Sequence, residues 1–174
     1  STLLATLFPY TTLFRSVDLD DPNFETTPYV EFVAYGRSKT ANALFAVEFD
    51  RRHKARGVRA AAVHPGGIQT ELGRHMTPEM MQGMLDSIAK STPAGAPPFE
   101  LKTIPQGAAT SVWAGVVASG DEVGGKYCED CHVAGIVEGG PDALTRGGVR
   151  AYAIDPERAK ALWAKSEEMV GESF

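Results

Sequence analysis

Apolar positions at Ala41, Leu44, Phe45 and Phe49 recur at offsets of three, four and eight residues, the period of a helix with one buried side. They lie in residues 34–49, AYGRSKTANALFAVEF, where Tyr35 and Lys39 stand four apart at the rim of the same pattern. Four residues advance a helix by roughly 6 Å and about one turn, so both side chains share a face. The charged segment 48–56 places Glu48 four before Arg52 and ends at Gly57, a helix stop. Residues 58–63 are apolar apart from Arg59 and predict a short buried strand. It runs into His64-Pro65-Gly66-Gly67-Ile68-Gln69-Thr70-Glu71-Leu72, a tight loop whose proline and glycines let backbone approach a ligand. A glycine loop at the carboxyl end of a strand is where α/β folds bind ligands.

The pattern continues with Thr77, Pro78 and Glu79 opening a helix whose apolar face is Met80, Met81, Met84, Leu85 and Ile88. Three prolines and a glycine make residues 91–98 a loop. Residues 105–118 predict another amphipathic helix, with Ala108, Val112, Trp113, Val116 and Val117 as its apolar side. Gly124 and Gly125 turn into a last strand over residues 126–133, and residues 136–148 are glycine-rich and turn-like. Asp155, Pro156 and Glu157 supply an N-cap, a first-turn proline and an acid for a terminal helix buried through Ala159, Leu162, Trp163 and Met169. Residues 18–27 are acidic, contain Pro22 and read as a surface loop without assignable chemistry. No repeat of about 20 to 50 residues is visible.

At 174 residues, with 43% hydrophobic and 22% charged positions, the chain suits one globular domain able to build a core. A net charge of -5 argues against general nucleic-acid or anionic-membrane binding, which needs a concentrated basic field. No apolar run reaches the roughly 18 residues of a membrane span. Cys128 and Cys131 form a C-x-x-C beside His132. A zinc site wants four ligands and a redox site a helix N-terminus, so reduced strand thiols in a cytoplasmic protein are the better reading.

The Tyr35–Lys39 spacing permits acid/base chemistry. A phenol titrates near ~10, and a nearby ammonium favours the phenolate. Three pKa units would cost about 4 kcal/mol, more than one exposed lysine supplies, so a partly buried site and a charged cofactor are needed. Spacing alone also fits an ordinary amphipathic helix.

YGRSK followed about 30 residues on by AVHPGGIQTEL resembles the C-terminal half of a short-chain dehydrogenase/reductase. The fuller pattern, DDPNFE, SKTANALFA and HPGGIQTELGRH, is similar to the retinol-dehydrogenase-like branch, and the match runs from about Val17 to the C-terminus. The resemblance implies the C-terminal part of a Rossmann-type, doubly wound parallel α/β sheet, and an oxidoreductase that moves hydride between NAD or NADP and a small carbonyl or alcohol. It implies that Tyr35 exchanges a proton with the substrate oxygen and that Lys39 holds the nicotinamide ribose and lowers the tyrosine's pKa. Pro65, Gly66, Ile68 and Thr70 match the loop that holds the nicotinamide carboxamide. Thr70 could equally cap the next turn, Ile68 belong to the core, and Ser38 pack the helix. The methionine helix corresponds to a mobile substrate lid, suited to a lipophilic substrate, or is flexible packing.

The first 16 residues read differently. They lack a basic leader and a cleavage site, so a signal peptide is not expected, and TLFPYTTLFRS looks like translated sequencing-adapter sequence. The family's glycine-rich phosphate loop, its Asn-Asn-Ala-Gly motif and its catalytic serine find no match. Thr11, Thr12 and Ser16 lie near the serine's place but outside its context. The expected organisation is a foreign segment over residues 1–16 and a catalytic part over 17–174, inactive alone because the N-terminal cofactor-binding half is missing. The alternative is a non-catalytic scaffold that kept the tyrosine helix for oligomerisation, and a homo-oligomer stays open in either case.

Overall fold

The computed structural model describes residues 16–68, 70, 71, 74, 77–92, 95, 100–138 and 147–174. Residues 1–15, 69, 72, 73, 75, 76, 93, 94, 96–99 and 139–146 lie outside the description, and with them most of the segment read as foreign. Helix α1 spans Glu31–His53, strand β1 Ala62–His64, helix α2 Pro78–Ser91 and helix α3 Ile104–Val112. Helix α4 is Gly120–Val123, strands β2 and β3 are Tyr127–Glu129 and His132–Val133, and helix α5 is Pro156–Val170.

The sheet has the order β1-β2-β3, with β1 and β2 parallel and β2 and β3 antiparallel. Ala62 pairs with Tyr127, Val63 with Cys128 and His64 with Glu129, and strand side chains alternate between faces. One face therefore carries Ala62, His64, Tyr127 and Glu129, and Tyr127 packs there with Ala43 of α1. The other carries Val63 and Cys128, against Ala114 just beyond α3. Helices on both faces of a parallel pair make this the expected α/β architecture.

Helix α1 has no side-chain N-cap, and a short 3-10 turn at Lys54–Arg56 carries it to Gly57. That glycine adopts φ 76° and stops the helix in the left-handed region. Leu44 is fully buried, whereas Phe45 stays partly exposed and stacks on Trp163 of α5 with ring centroids 5.5 Å apart. Asp155 caps α5 through the Arg158 N–H, as its sequence implied, and Ala159 and Trp163 are buried. Met169 instead points to solvent, half exposed.

Three expectations need correction. The strand read over residues 58–63 is confined to Ala62–His64, because Asp50 accepts from the Arg59 guanidinium and the Ala60 N–H and holds the earlier residues to α1. The last strand read over 126–133 is a tight hairpin: Asp130 and Cys131 both take positive φ, 44° and 57°, and reverse the chain. The helix read over 105–118 opens one residue earlier with a Thr103 and Gln106 capping box and loosens into a π-helical turn at Trp113–Val117. Its buried side is Gly107, Thr110 and Ala114, while Val112, Val116 and Val117 of the predicted apolar side are exposed. The small side lets the helix approach β1 and the loop closely, and that approach decided which face turned inward.

The α1–α5 contact also encloses a charge. Glu48 is 1% exposed, yet accepts from Arg51 Nε and Nη2 at 2.7 and 2.6 Å and from Arg52 Nε at 2.8 Å. Hydrogen bonding by Arg51 first, against the opposing effect of burial, and then by Arg52 brings its carboxyl down to about 2. Arg52 continues over the Trp163 ring at 4.4 Å. A carboxyl lowered on folding stabilises above its unfolded pKa, near ~4.3, and that stabilisation fades as pH falls toward the folded value. Between about pH 5 and about pH 2 the wild type should lose urea resistance, and Glu48→Gln should start lower at neutral pH and fall less across that window. Parallel pH curves for the two proteins would remove Glu48 as the source.

Candidate active site

Tyr35 and Lys39 sit on the second and third turns of α1, and Lys39 Nζ lies 4.8 Å from the centroid of the Tyr35 ring. They are brought together as their spacing required. Their electrostatics differ from the expectation. The Tyr35 phenol is pushed upward from its ordinary value, first by burial and then by the neighbouring Tyr127 phenol, while burial pushes the Lys39 ammonium down. Removing a phenolate from water costs more than one partly buried ammonium returns. Ser38 donates from Oγ to the Tyr35 carbonyl at 2.7 Å and is exposed. Ser16 bonds the Arg158 guanidinium of α5.

Tyr127 connects this helix to the strand ends. Its ring lies 6.2 Å from that of His64, inclined by 27°, and His64 leads directly into Pro65. Burial, then the Lys102 charge, lower His64 to about 4 against the opposing effect of Asp130, so the imidazole is neutral at physiological pH. Beside it, Glu129 is buried and accepts from the Gly148 N–H at 2.5 Å. Burial raises its carboxyl from the ordinary range, partly offset by that hydrogen bond. Tyr127 and Glu129 were not singled out in the sequence. The signal was a two-residue alternation in one strand, which says nothing about the facing strand.

In the 65–70 loop, Pro65 is buried and Gly66 takes φ 88°, a conformation that favours glycine. Ile68 packs toward α3: a Cβ on Gly107 would lie 1.9 Å from Ile68 Cδ1. Ile68 also bridges Lys102, whose N–H donates to the Gly67 carbonyl at 2.8 Å. Thr70 is half-buried.

Over 148 residues, 84% of this chain, the sequence is 43% identical to a "probable oxidoreductase" of Streptomyces lividans, covering 48% of that protein. It is 39% identical over 89% of the chain to a short-chain dehydrogenase/reductase of Penicillium rubens, covering 43% of it. The chain belongs to the short-chain dehydrogenase/reductase family. Human retinol dehydrogenase 13 is 35% identical over 89% of the chain, covering 41% of that protein. The chain spans about half the length of the curated relatives it matches. No model of a protein family matches it. A crystal structure of an uncharacterized protein from Mycobacterium paratuberculosis superposes with a TM-score of 0.57 at 25% identity, over 99% of this chain and 51% of that one.

For a short-chain dehydrogenase/reductase, two other regions bear on the site. On α2, Ile88 is buried while Met81 and Leu85 are exposed; the side chains of Met80 and Met84 lie outside the description. The acidic loop ahead of α1 holds an unanticipated knot. Asp21 is buried and its carboxylate accepts from the Glu25, Thr26 and Thr27 N–H groups and both threonine hydroxyls. The Thr27 hydroxyl leads in holding that carboxyl well below the usual range. Arg37, two residues after Tyr35, pairs with Asp18 at 3.3 Å and lies 4.6 Å over the Phe24 ring. The loop is thus fastened to the helix that carries Tyr35.

The two thiols diverge in environment. Cys128 is buried, and burial pushes its thiol up to about 11, whereas Cys131 is exposed at the hairpin turn. Among the described residues no group of three or more His, Cys, Asp or Glu side chains is placed to hold a metal ion. Elemental analysis is expected to find no stoichiometric zinc, and a thiol reagent should label Cys131 rapidly and Cys128 only after unfolding. One zinc per chain, or equal labelling rates, would overturn this reading.

Proposed function

We propose that these residues carry the proton-transfer part of an NAD(P)-dependent oxidoreductase that interconverts an alcohol and a carbonyl on a lipophilic small molecule. One observation carries the reading. The Lys39 ammonium is half-buried against the Tyr35 ring and has no hydrogen-bond or ion-pair partner among the described residues. A partly buried ammonium without an acceptor is costly, and the ribose hydroxyls of NAD or NADP supply the missing acceptors. The residues present therefore fit a nicotinamide cofactor, which would provide the hydride acceptor or donor.

Tyr35, kept neutral by its surroundings, donates its phenolic proton to a carbonyl oxygen in the reducing direction. In the oxidising direction the phenolate must accept one, and Lys39 supplies part of the positive charge that this demands. Pro65, Gly66, Ile68 and Thr70 are the residues that would hold a nicotinamide carboxamide, through backbone groups of the loop, with the packing of Ile68 on Gly107 as support. Exposed Met81 and Leu85 on α2 offer an adaptable apolar wall to the substrate. Reduced thiols suit a cytoplasmic setting, and no helix among the described residues is long and apolar enough to cross a membrane.

The scaffold alternative draws on the exposed apolar residues Ile104, Val112, Val116 and Val117 of α3 and the turn after it, a face suited to association. The reaction is tested by joining this chain to the part of the Streptomyces lividans relative that it does not match and following NADH and NADPH oxidation with a series of lipophilic aldehydes. Turnover supports the enzyme; a folded fusion that binds neither cofactor supports the scaffold.

A further inference from the structure

Lys102 touches the 65–70 loop in two ways. Its N–H donates to the Gly67 carbonyl at 2.8 Å, in the bridge that pairs it with Ile68, and its side chain lies along Gly66. A Cβ on Gly66 would come within 2.7 Å of Lys102 Cε and Nζ, so the lysine side chain packs directly on the bare glycine. The ammonium then pairs with Asp130, in the β2–β3 turn.

That turn is unusual in its residues. Hairpin turns with two left-handed positions favour Asn-Gly or Asp-Gly, yet here Asp130 is followed by Cys131, both at positive φ. Thr110 of α3, itself 1% exposed, accepts from the Cys131 N–H at 3.2 Å and fixes the second position. An ion pair whose acid is 62% exposed adds little to folding, and the left-handed cysteine costs conformational energy. What the arrangement achieves is placement: α3 holds the turn, the turn holds Lys102, and Lys102 holds the loop.

We propose that Lys102, anchored by Asp130, is a positioning residue that sets the conformation of the 65–68 backbone to receive the nicotinamide end of the cofactor. This rests on the cofactor reading above, and the experiment separates the two. Amide hydrogen exchange is measured on the 174-residue chain and on Lys102→Met, which keeps the aliphatic packing and removes the charge, Asp130→Asn, which removes the partner, and Lys102→Arg, which keeps the charge. Nicotinamide mononucleotide at millimolar concentration is then titrated against the loop amides by NMR.

Lys102→Met and Asp130→Asn should each speed exchange a few-fold, the scale of an exposed ion pair, at the two amides that fasten the loop and its turn, those of residue 102 and Cys131, which donate to the Gly67 carbonyl and the Thr110 hydroxyl. Amides around Leu44 should not change, and Lys102→Arg should restore most of the protection. The mononucleotide should shift the loop amides of the wild type and bind several-fold more weakly to Lys102→Met. Unchanged loop exchange in both charge-removing variants overturns the proposal, as does loosening spread equally over α1. Local loosening with no mononucleotide shift in the wild type overturns the cofactor reading and sustains Lys102 as the residue that sets the loop.

Discussion

Tyr35→Phe is expected to lower turnover of the reconstituted fusion by about 10²- to 10⁴-fold, the usual range for losing a positioned general acid. Phenylalanine keeps the ring over which Lys39 Nζ lies at 4.8 Å and removes only the hydroxyl. Cofactor affinity should therefore stay nearly unchanged, and the loss should fall on kcat and kcat/KM equally, as it does when an interaction belongs to the transition state alone. Because burial raises the Tyr35 phenol, the oxidising direction, which needs the phenolate, should gain rate as pH rises. The reducing direction should not. A Phe variant with wild-type turnover would remove Tyr35 from the chemistry even if both cofactors bound well.

The second large effect concerns the 174 residues by themselves, which are expected to show no appreciable dehydrogenase activity. The chain contains no Gly-x-x-x-Gly-x-Gly, the kind of loop that presents a helix N-terminus to a pyrophosphate. The nicotinamide would then have to be held by its own end alone. Positioning accounts for about 7 to 11 kcal/mol of a barrier in well-oriented systems, so losing most of it suppresses turnover below detection. The check is a fluorescence titration of NADH and NADPH, followed by assays with several lipophilic aldehydes. Micromolar binding with turnover that disappears in Tyr35→Phe would show that these residues suffice.

Local structure explains which expectations transferred to the fold. The Tyr35–Lys39 contact lies within one turn of one helix, and Gly57 and the Asp155 cap act over a few residues; such effects are carried by neighbouring positions and survive any tertiary context. The α3 face failed for the opposite reason. Its hydrophobic period is real, yet close approach to Ile68 requires the bare Gly107 side, and steric fit outweighed the area that Val112, Val116 and Val117 could have buried. The hairpin failed as a single strand because nothing within residues 126–133 reveals that Thr110 would bond Cys131 and stabilise a left-handed turn.

The sequence by itself determined the tyrosine helix, the glycine loop after β1 and the family, since each rests on residue type and spacing along one segment. Only the tertiary structure decided the electrical state of the site and its supports. Tyr127 beside Tyr35, His64 held neutral, Glu129 buried against Gly148, and Lys102 strapped to Asp130 all join residues from separate elements. Burial and charge act through space, and distances through space are set by how β1, β2 and the helices pack.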